Sequence, residues 1–341
     1  MSASAWLSKK LSSGKVLCQA CAHACKLDEG EYGICGVRKV EGGELKLLVY
    51  GLAAAVNVDP VEKKPMFHLL PTTKAFSVGT VGCNFSCSFC QNADISQYPQ
   101  EHQHRLLGQE LPPERIVALA QEYGCDSVAY TYNEPIVWFE YSHDTAKLAH
   151  EAGLKNIYVT SGYETKKAID LLAPYIDGMN IDIKGFTDTF YKEICASKLK
   201  PVLEAVRYAH SRGIWIEITT LLIPGKNDSD EEIRGIAEFI AALDPFIPWH
   251  LSAFHPTYKM TDVERTPAST LRRAYKIGQE AGLKYLYVGN IDDEDHESTY
   301  CPGCGERVID RSGHIGQFVT NHLSPEGHCP YCDYQLEGVW Q

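Results

Sequence analysis

No run of 18 consecutive uncharged apolar residues occurs in this 341-residue sequence, so no segment is expected to cross a bilayer as a helix. The opening MSASAWLSKKLSSGKV has none of the apolar core of a secretory signal, and a cytoplasmic protein is the expectation. Low-complexity tracts and internal repeats are missing too, which excludes fibrous, solenoid and disordered classes. Positive charge is in short supply: 32 Lys and Arg against 44 Asp and Glu leave a net charge of −12. Residues 291–341 hold ten acidic residues against only Arg307 and Arg311. Such a tail repels phosphate backbones, so a nucleic-acid partner is disfavoured and a protein or small-molecule substrate is favoured. Cysteine, by contrast, is plentiful at 13 residues. In a reducing compartment, short-spaced cysteines point to metal rather than to disulfides.

Three regions follow one another. Residues 1–72 carry Cys18, Cys21, Cys25 and Cys35, glycine-rich turns and a hairpin-like run at GGELKLLVYG, and read as a small N-terminal module. Residues 73–290 alternate short β-branched or aromatic runs with helical patterns, as βα units around a parallel sheet do. Seven candidate strands lie at 75–81, 126–132, 156–161, 177–184, 214–222, 249–254 and 284–289. Amphipathic helices separate them, among them PERIVALAQEYG with Pro113 in its first turn and SDEEIRGIAEFIAAL with Ser229 as cap. The expected fold is α/β, a partial (βα)6-type barrel with room for a seventh strand. Residues 291–341 read as a C-terminal zinc-ribbon or rubredoxin-like knuckle module.

The segment SVGTVGCNFSCSFCQN places Cys83, Cys87 and Cys90 just after the first barrel strand, at the end where such folds gather their active-site loops. Four thiolates saturate a cubane cluster, whereas three leave one iron open to a ligand. A structural zinc with a distant fourth ligand is the rival reading.

The C-x3-C-x2-C spacing, with the aromatic Phe89 before the last cysteine, resembles the radical S-adenosylmethionine (SAM) superfamily. Several segments are similar to relatives of the pyruvate formate-lyase activating enzyme, and within them to the AmmeMemoRadiSam system radical SAM enzymes: the N-terminal CxxCxxxC, VDPVEKKPMFHLLP, YTYNEP, NIDIKG, LLIPGKND and SAFHPT. The resemblance implies a [4Fe-4S] cluster whose open iron is chelated by SAM, one-electron cleavage of the sulfonium, and a 5'-deoxyadenosyl radical that takes hydrogen from a substrate. It further implies a flavodoxin- or ferredoxin-type electron donor, a protein substrate, and association with Memo-like or AMMECR-type proteins. A small molecule or an RNA base as substrate, and a non-enzymatic iron-sulfur or zinc scaffold, are the alternatives.

Family positions that contact SAM map onto Phe89, onto Asn133 and Glu134 in TYNEP, onto Ser161 in VTSGYE and onto His255 in FHP. Tyr132 and Asn133 replace the two glycines of the family's GGEP-like segment, which leaves close backbone approach open. Asn133 also reads as a helix cap, Ser161 as a simple turn residue and His250 as a core histidine. Strand alternation in NIDIKG puts Asn180, Asp182 and Lys184 on one side, and inward polar groups fit a lined pocket better than a dry core.

Cys301, Cys304, Cys329 and Cys332 form two CxxC knuckles, a four-thiolate set for zinc or a single iron. Cys18, Cys21, Cys25 and Cys35 offer four more thiolates, with His23 as a spare ligand, for zinc or an auxiliary iron-sulfur cluster. Cys125 and Cys195 read as buried inert thiols.

Overall fold

The computed structural model describes residues 2–312 and 318–341. At its centre, eight strands lie side by side in chain order: β1 (Ala55–Pro60), β2 (Lys74–Gly79), β3 (Ser127–Tyr130), β4 (Lys155–Thr160), β5 (Gly178–Asp182), β6 (Trp215–Leu222), β7 (Trp249–Ala253) and β8 (Leu286–Gly289). Strands β2 to β8 pair in parallel, and β1 joins β2 antiparallel. β1 and β8 are the two edges, so the sheet is an open, partial barrel. All seven candidate strands are present, the seventh included. β1 escaped the sequence reading because its polar Asn57 and Asp59 and terminal Pro60 break the apolar pattern. The main sheet therefore begins inside the stretch assigned to the N-terminal module.

The helices between the strands bury one apolar stripe each. Helix Pro113–Glu122 carries Pro113 in its first turn and buries Ile116, Val117 and Ala120. Helix Asp230–Leu243 is capped by Ser229, whose hydroxyl accepts from the Glu232 amide at 3.2 Å. No helix among the described residues is long and apolar enough to cross a membrane.

The VEKKPMFHLLP segment after β1 packs against the sheet. Val61, Met66 and Leu69 form one buried cluster with Ala75, Ala129 and Ile157. A Cβ on Gly178 would stand 2.5 Å from Leu69 Cδ1, so only glycine leaves room for that side chain. Glu217 on β6 accepts the backbone amides of Phe67 and His68 at 2.9 and 2.8 Å and meets His250 Nε2 at 2.7 Å. His250 is thus a hydrogen-bonded core histidine, as its sequence reading has it.

The small modules dock through buried cations. In the N-terminal module, strands Arg38–Glu41 and Glu44–Leu47 are joined by Gly42 and Gly43, both at positive φ (63° and 73°), the two-residue turn whose twist suits a hairpin. Arg38 reaches from that hairpin to Glu140 at 2.6 Å. In the C-terminal module, Arg311 donates to the Phe67 carbonyl at 2.9 Å and sits 4.0 Å from the Phe67 ring centroid.

Candidate functional site

β2 ends at Gly79, where a Cβ would lie 2.6 Å from the Thr131 carbonyl oxygen. The chain then turns through Gly82 at φ +90° into Cys83. Ser86 and Ser88 donate their amides to the carbonyls of Cys195 and Ile194 at 3.1 and 3.0 Å, which holds the loop flat against the segment after helix Asp188–Ile194. The Phe85 amide donates to Cys83 Sγ at 3.3 Å, and Cys90 Sγ lies 3.2 Å from Ser96 Oγ. Cys195, read as an inert thiol, neighbours Cys87 and draws that thiol's pKa down; burial opposes the shift and the Lys184 charge supports it.

Cys83, Cys87 and Cys90 line a cavity of about 320 Å³ together with Phe89, Asp182 and Lys184, above the C-terminal ends of the strands. Lys184 Nζ meets Asp182 Oδ2 at 2.7 Å and stands 5.9 Å from the Phe89 ring centroid. Burial works against the ammonium, but the Asp182 carboxylate holds its pKa above the ordinary lysine value. Asn180, the third inward residue of NIDIKG, lies deeper and joins Thr219 Oγ1 to the Pro65 carbonyl.

These residues fit the groups that the resemblance implies. Three thiols from one loop line a cavity together with a paired cation and carboxylate, the complement of a ligand carrying both an ammonium and a carboxylate. No three ligand atoms of this loop fall within 4.8 Å of one another, as the compact sulfurs of a single-metal site do. A cubane spaces its thiolates more widely.

The other expected residues divide. Ser161 and Asn133 line the cavity. Asn133 braces the loop: its Nδ2 donates to the Gly82 carbonyl at 2.7 Å and its Oδ1 accepts from Trp138 Nε1 at 3.2 Å. The Glu134 carboxylate is turned from the cavity, accepting the Ser161 amide at 2.9 Å and the Thr160 hydroxyl at 2.7 Å. It therefore supports the end of β4 from behind. His255 is exposed and outside the cavity lining, because the chain leaves the barrel mouth directly after Phe254.

Tyr132 takes φ +73°, the left-handed conformation that a glycine of the GGEP-like segment adopts without strain. Asn92 Nδ2 holds its carbonyl at 2.8 Å, and its hydroxyl donates to Asp59 Oδ2 at 2.9 Å. Lys64 Nζ also reaches Asp59 at 2.7 Å and lies 4.9 Å from the Tyr132 ring centroid. Lys63 and Lys64 line this cavity and a second one of about 550 Å³, which shares Tyr132, Thr219, Ser252 and Asn290 with it. Sequence reasoning missed the two lysines, because β1 was not recognised as a strand and no spacing rule connects the segment after it to the barrel mouth.

Behind the mouth, Thr160 Oγ1 hydrogen-bonds both Glu134 and Glu164. One hydroxyl carries one hydrogen, so one carboxyl of the pair must supply a proton. Burial, with the neighbouring Glu134 charge adding to it, raises Glu164 to about 8.

In the C-terminal module the four knuckle thiols lie within 4.8 Å of one another, with Cys301–Cys332 and Cys304–Cys329 sulfur distances of 3.6 and 3.7 Å. A tetrahedral metal with 2.3 Å bonds sets its sulfurs about 3.8 Å apart. Cys18, Cys21, Cys25 and Cys35 line a common cavity with His23.

The family model "Radical SAM superfamily" matches residues 77–240, which include the three-cysteine loop, Glu134, Ser161, Asp182 and Lys184. An uncharacterized protein of Methanocaldococcus jannaschii is 43% identical over 332 residues, 97% of this chain and 98% of its own. The pyruvate formate-lyase 1-activating enzyme of Escherichia coli is 22% identical over 60% of this chain and 89% of its own. A radical SAM methyltransferase structure from Sphaerobacter thermophilus covers 64% of this chain and 67% of its own at 20% identity, with a TM-score of 0.50, a likeness of fold. With the cysteine loop placed at the mouth of an open parallel sheet and these relatives beside it, the chain belongs to the radical SAM superfamily.

Proposed function

We propose that this chain is a radical SAM enzyme of the activating-enzyme type, with Cys83, Cys87 and Cys90 as the cluster ligands. The observation that carries the reading is that these three thiols line one cavity with Asp182 and Lys184. When bound there, the cluster and SAM supply one-electron cleavage of the sulfonium to a 5'-deoxyadenosyl radical that abstracts hydrogen. The chain's own part is to bind and exclude: Lys184 and Asp182 meet the charges of the methionyl group, Ser161 and Asn133 shape the wall, and Phe89 covers the loop. Lys63 and Lys64 lie toward the adjoining cavity, the place for the substrate group. The electron would come from a flavodoxin- or ferredoxin-type donor. The C-terminal knuckles would hold zinc, to which their sulfur spacing corresponds.

Likeness to activating enzymes favours a protein substrate, and Memo-like or AMMECR-type proteins are the first candidates by resemblance. The second cavity, of about 550 Å³, favours a second reading, a small molecule. The reaction is tested by anaerobic reconstitution with iron and sulfide, then dithionite and SAM. 5'-Deoxyadenosine is the expected product, and Cys87→Ala should abolish it. A cluster-loaded protein with four irons at this loop that forms none would refute the reading.

A further inference from the structure

We infer that Cys18, Cys21, Cys25 and Cys35 hold a second [4Fe-4S] cluster, closed by four thiolates, rather than a zinc ion. The chain contains its own internal comparison. The knuckle sulfurs of the C-terminal module are as compact as one tetrahedral metal requires, all within 4.8 Å. The N-terminal cysteines surround one cavity, yet among the described residues no three of them bring their ligand atoms within that distance, and the same holds for the Cys83, Cys87 and Cys90 loop. Two cysteine sets therefore stand wider than the knuckles, the direction that a cubane requires and a single ion does not.

The surroundings agree with this reading. Ile34, Ile136 and Val137 line the cavity and keep it apolar. His23 is not free as a fifth ligand through Nε2, which donates to the Asn84 carbonyl at 2.8 Å. Arg38 lines the same cavity, its charge already paired with Glu140. The site also abuts the catalytic loop. Asn84 lines this cavity while Cys83, its chain neighbour, lines the other. A Cβ on Gly82 would be 2.6 Å from the Cys35 carbonyl oxygen, so the two cysteine loops are in direct contact.

With no open iron the site binds neither SAM nor substrate. Its available chemistry is uptake of one electron from a reduced flavodoxin- or ferredoxin-type donor and its return to an acceptor, with no bond formed or broken.

The triple variant C83A/C87A/C90A, purified and reconstituted anaerobically with iron and sulfide, isolates the site. The inference expects four irons and four sulfides per chain and a signal in electron paramagnetic resonance after reduction with dithionite. An iron-free chain, whether it carries zinc at this site or no metal there, overturns it. Because the triple variant's loop could disturb folding, the unaltered chain is analysed in parallel: close to eight irons supports the inference, and four or fewer overturns it. Neither readout depends on SAM cleavage, so failure of the enzyme assignment is distinguishable from failure of the second cluster.

Discussion

Arg38 Nη2 and Glu140 Oε2 lie 2.6 Å apart with side chains only 2% and 0% exposed, which ties the N-terminal hairpin to helix Phe139–Glu151. Glu140 also accepts the Trp6 amide at 3.0 Å. Removing one partner of such a pair strands a buried charge and costs about 3–5 kcal/mol. Arg38→Ala and Glu140→Ala should each lower the unfolding free energy by that order in denaturant titration. The joint change Arg38→Met with Glu140→Leu should recover much of it.

Gly82→Ala meets two obstacles, a positive φ and a Cβ position 2.6 Å from both the Cys35 carbonyl oxygen and Val37 Cγ1. A non-glycine residue forced into this region costs about 1–3 kcal/mol before any clash. We expect a lower melting temperature together with reduced iron after reconstitution, since the turn aims Cys83. Unchanged iron and stability would show that the turn is dispensable.

The Asp182–Lys184 pair is expected to set SAM affinity. A hydrogen bond to a charged group contributes about 1.5–3 kcal/mol, so Lys184→Ala or Asp182→Asn should weaken SAM binding by about 10- to 150-fold in calorimetry on cluster-loaded protein. His255→Ala, exposed and off the cavity wall, should leave it unchanged.

Glu164 predicts a pH dependence of stability. Its carboxyl is raised from 4.5 to about 8, foremost by burial, so the folded chain keeps a proton that the unfolded chain releases. A raised acid stabilises fully below its unfolded value and loses that contribution as pH rises toward the folded one. Unfolding midpoints should therefore fall across this window, and Glu164→Gln should flatten the decline. A variant with the same slope as the parent would assign the effect elsewhere.

Much of the site was legible because its signals are local. The spacing of Cys83, Cys87 and Cys90 lies within one loop, and the alternation that turns Asp182 and Lys184 inward lies within one strand. Glu134 was found in the right segment but with the wrong orientation: its carboxylate turns to the Ser161 amide because that buried donor at the end of β4 requires an acceptor. Lys63 and Lys64 were missed because they reach the mouth from the segment between β1 and β2, and β1 itself was not recognised.

The sequence by itself determined the seven parallel strands, the three-cysteine loop and the family to which they belong, since periodicity and short spacings are properties of neighbouring residues. Only the tertiary structure decided that the four knuckle cysteines stand within 4.8 Å of one another, which carboxyl faces the cavity, and that β1 extends the sheet. Those depend on where distant segments meet. The distance from Cys18 to Cys35 across the N-terminal module, or from Asn84 to the four thiols beside it, is fixed by packing and by hydrogen bonds between residues far apart in the chain.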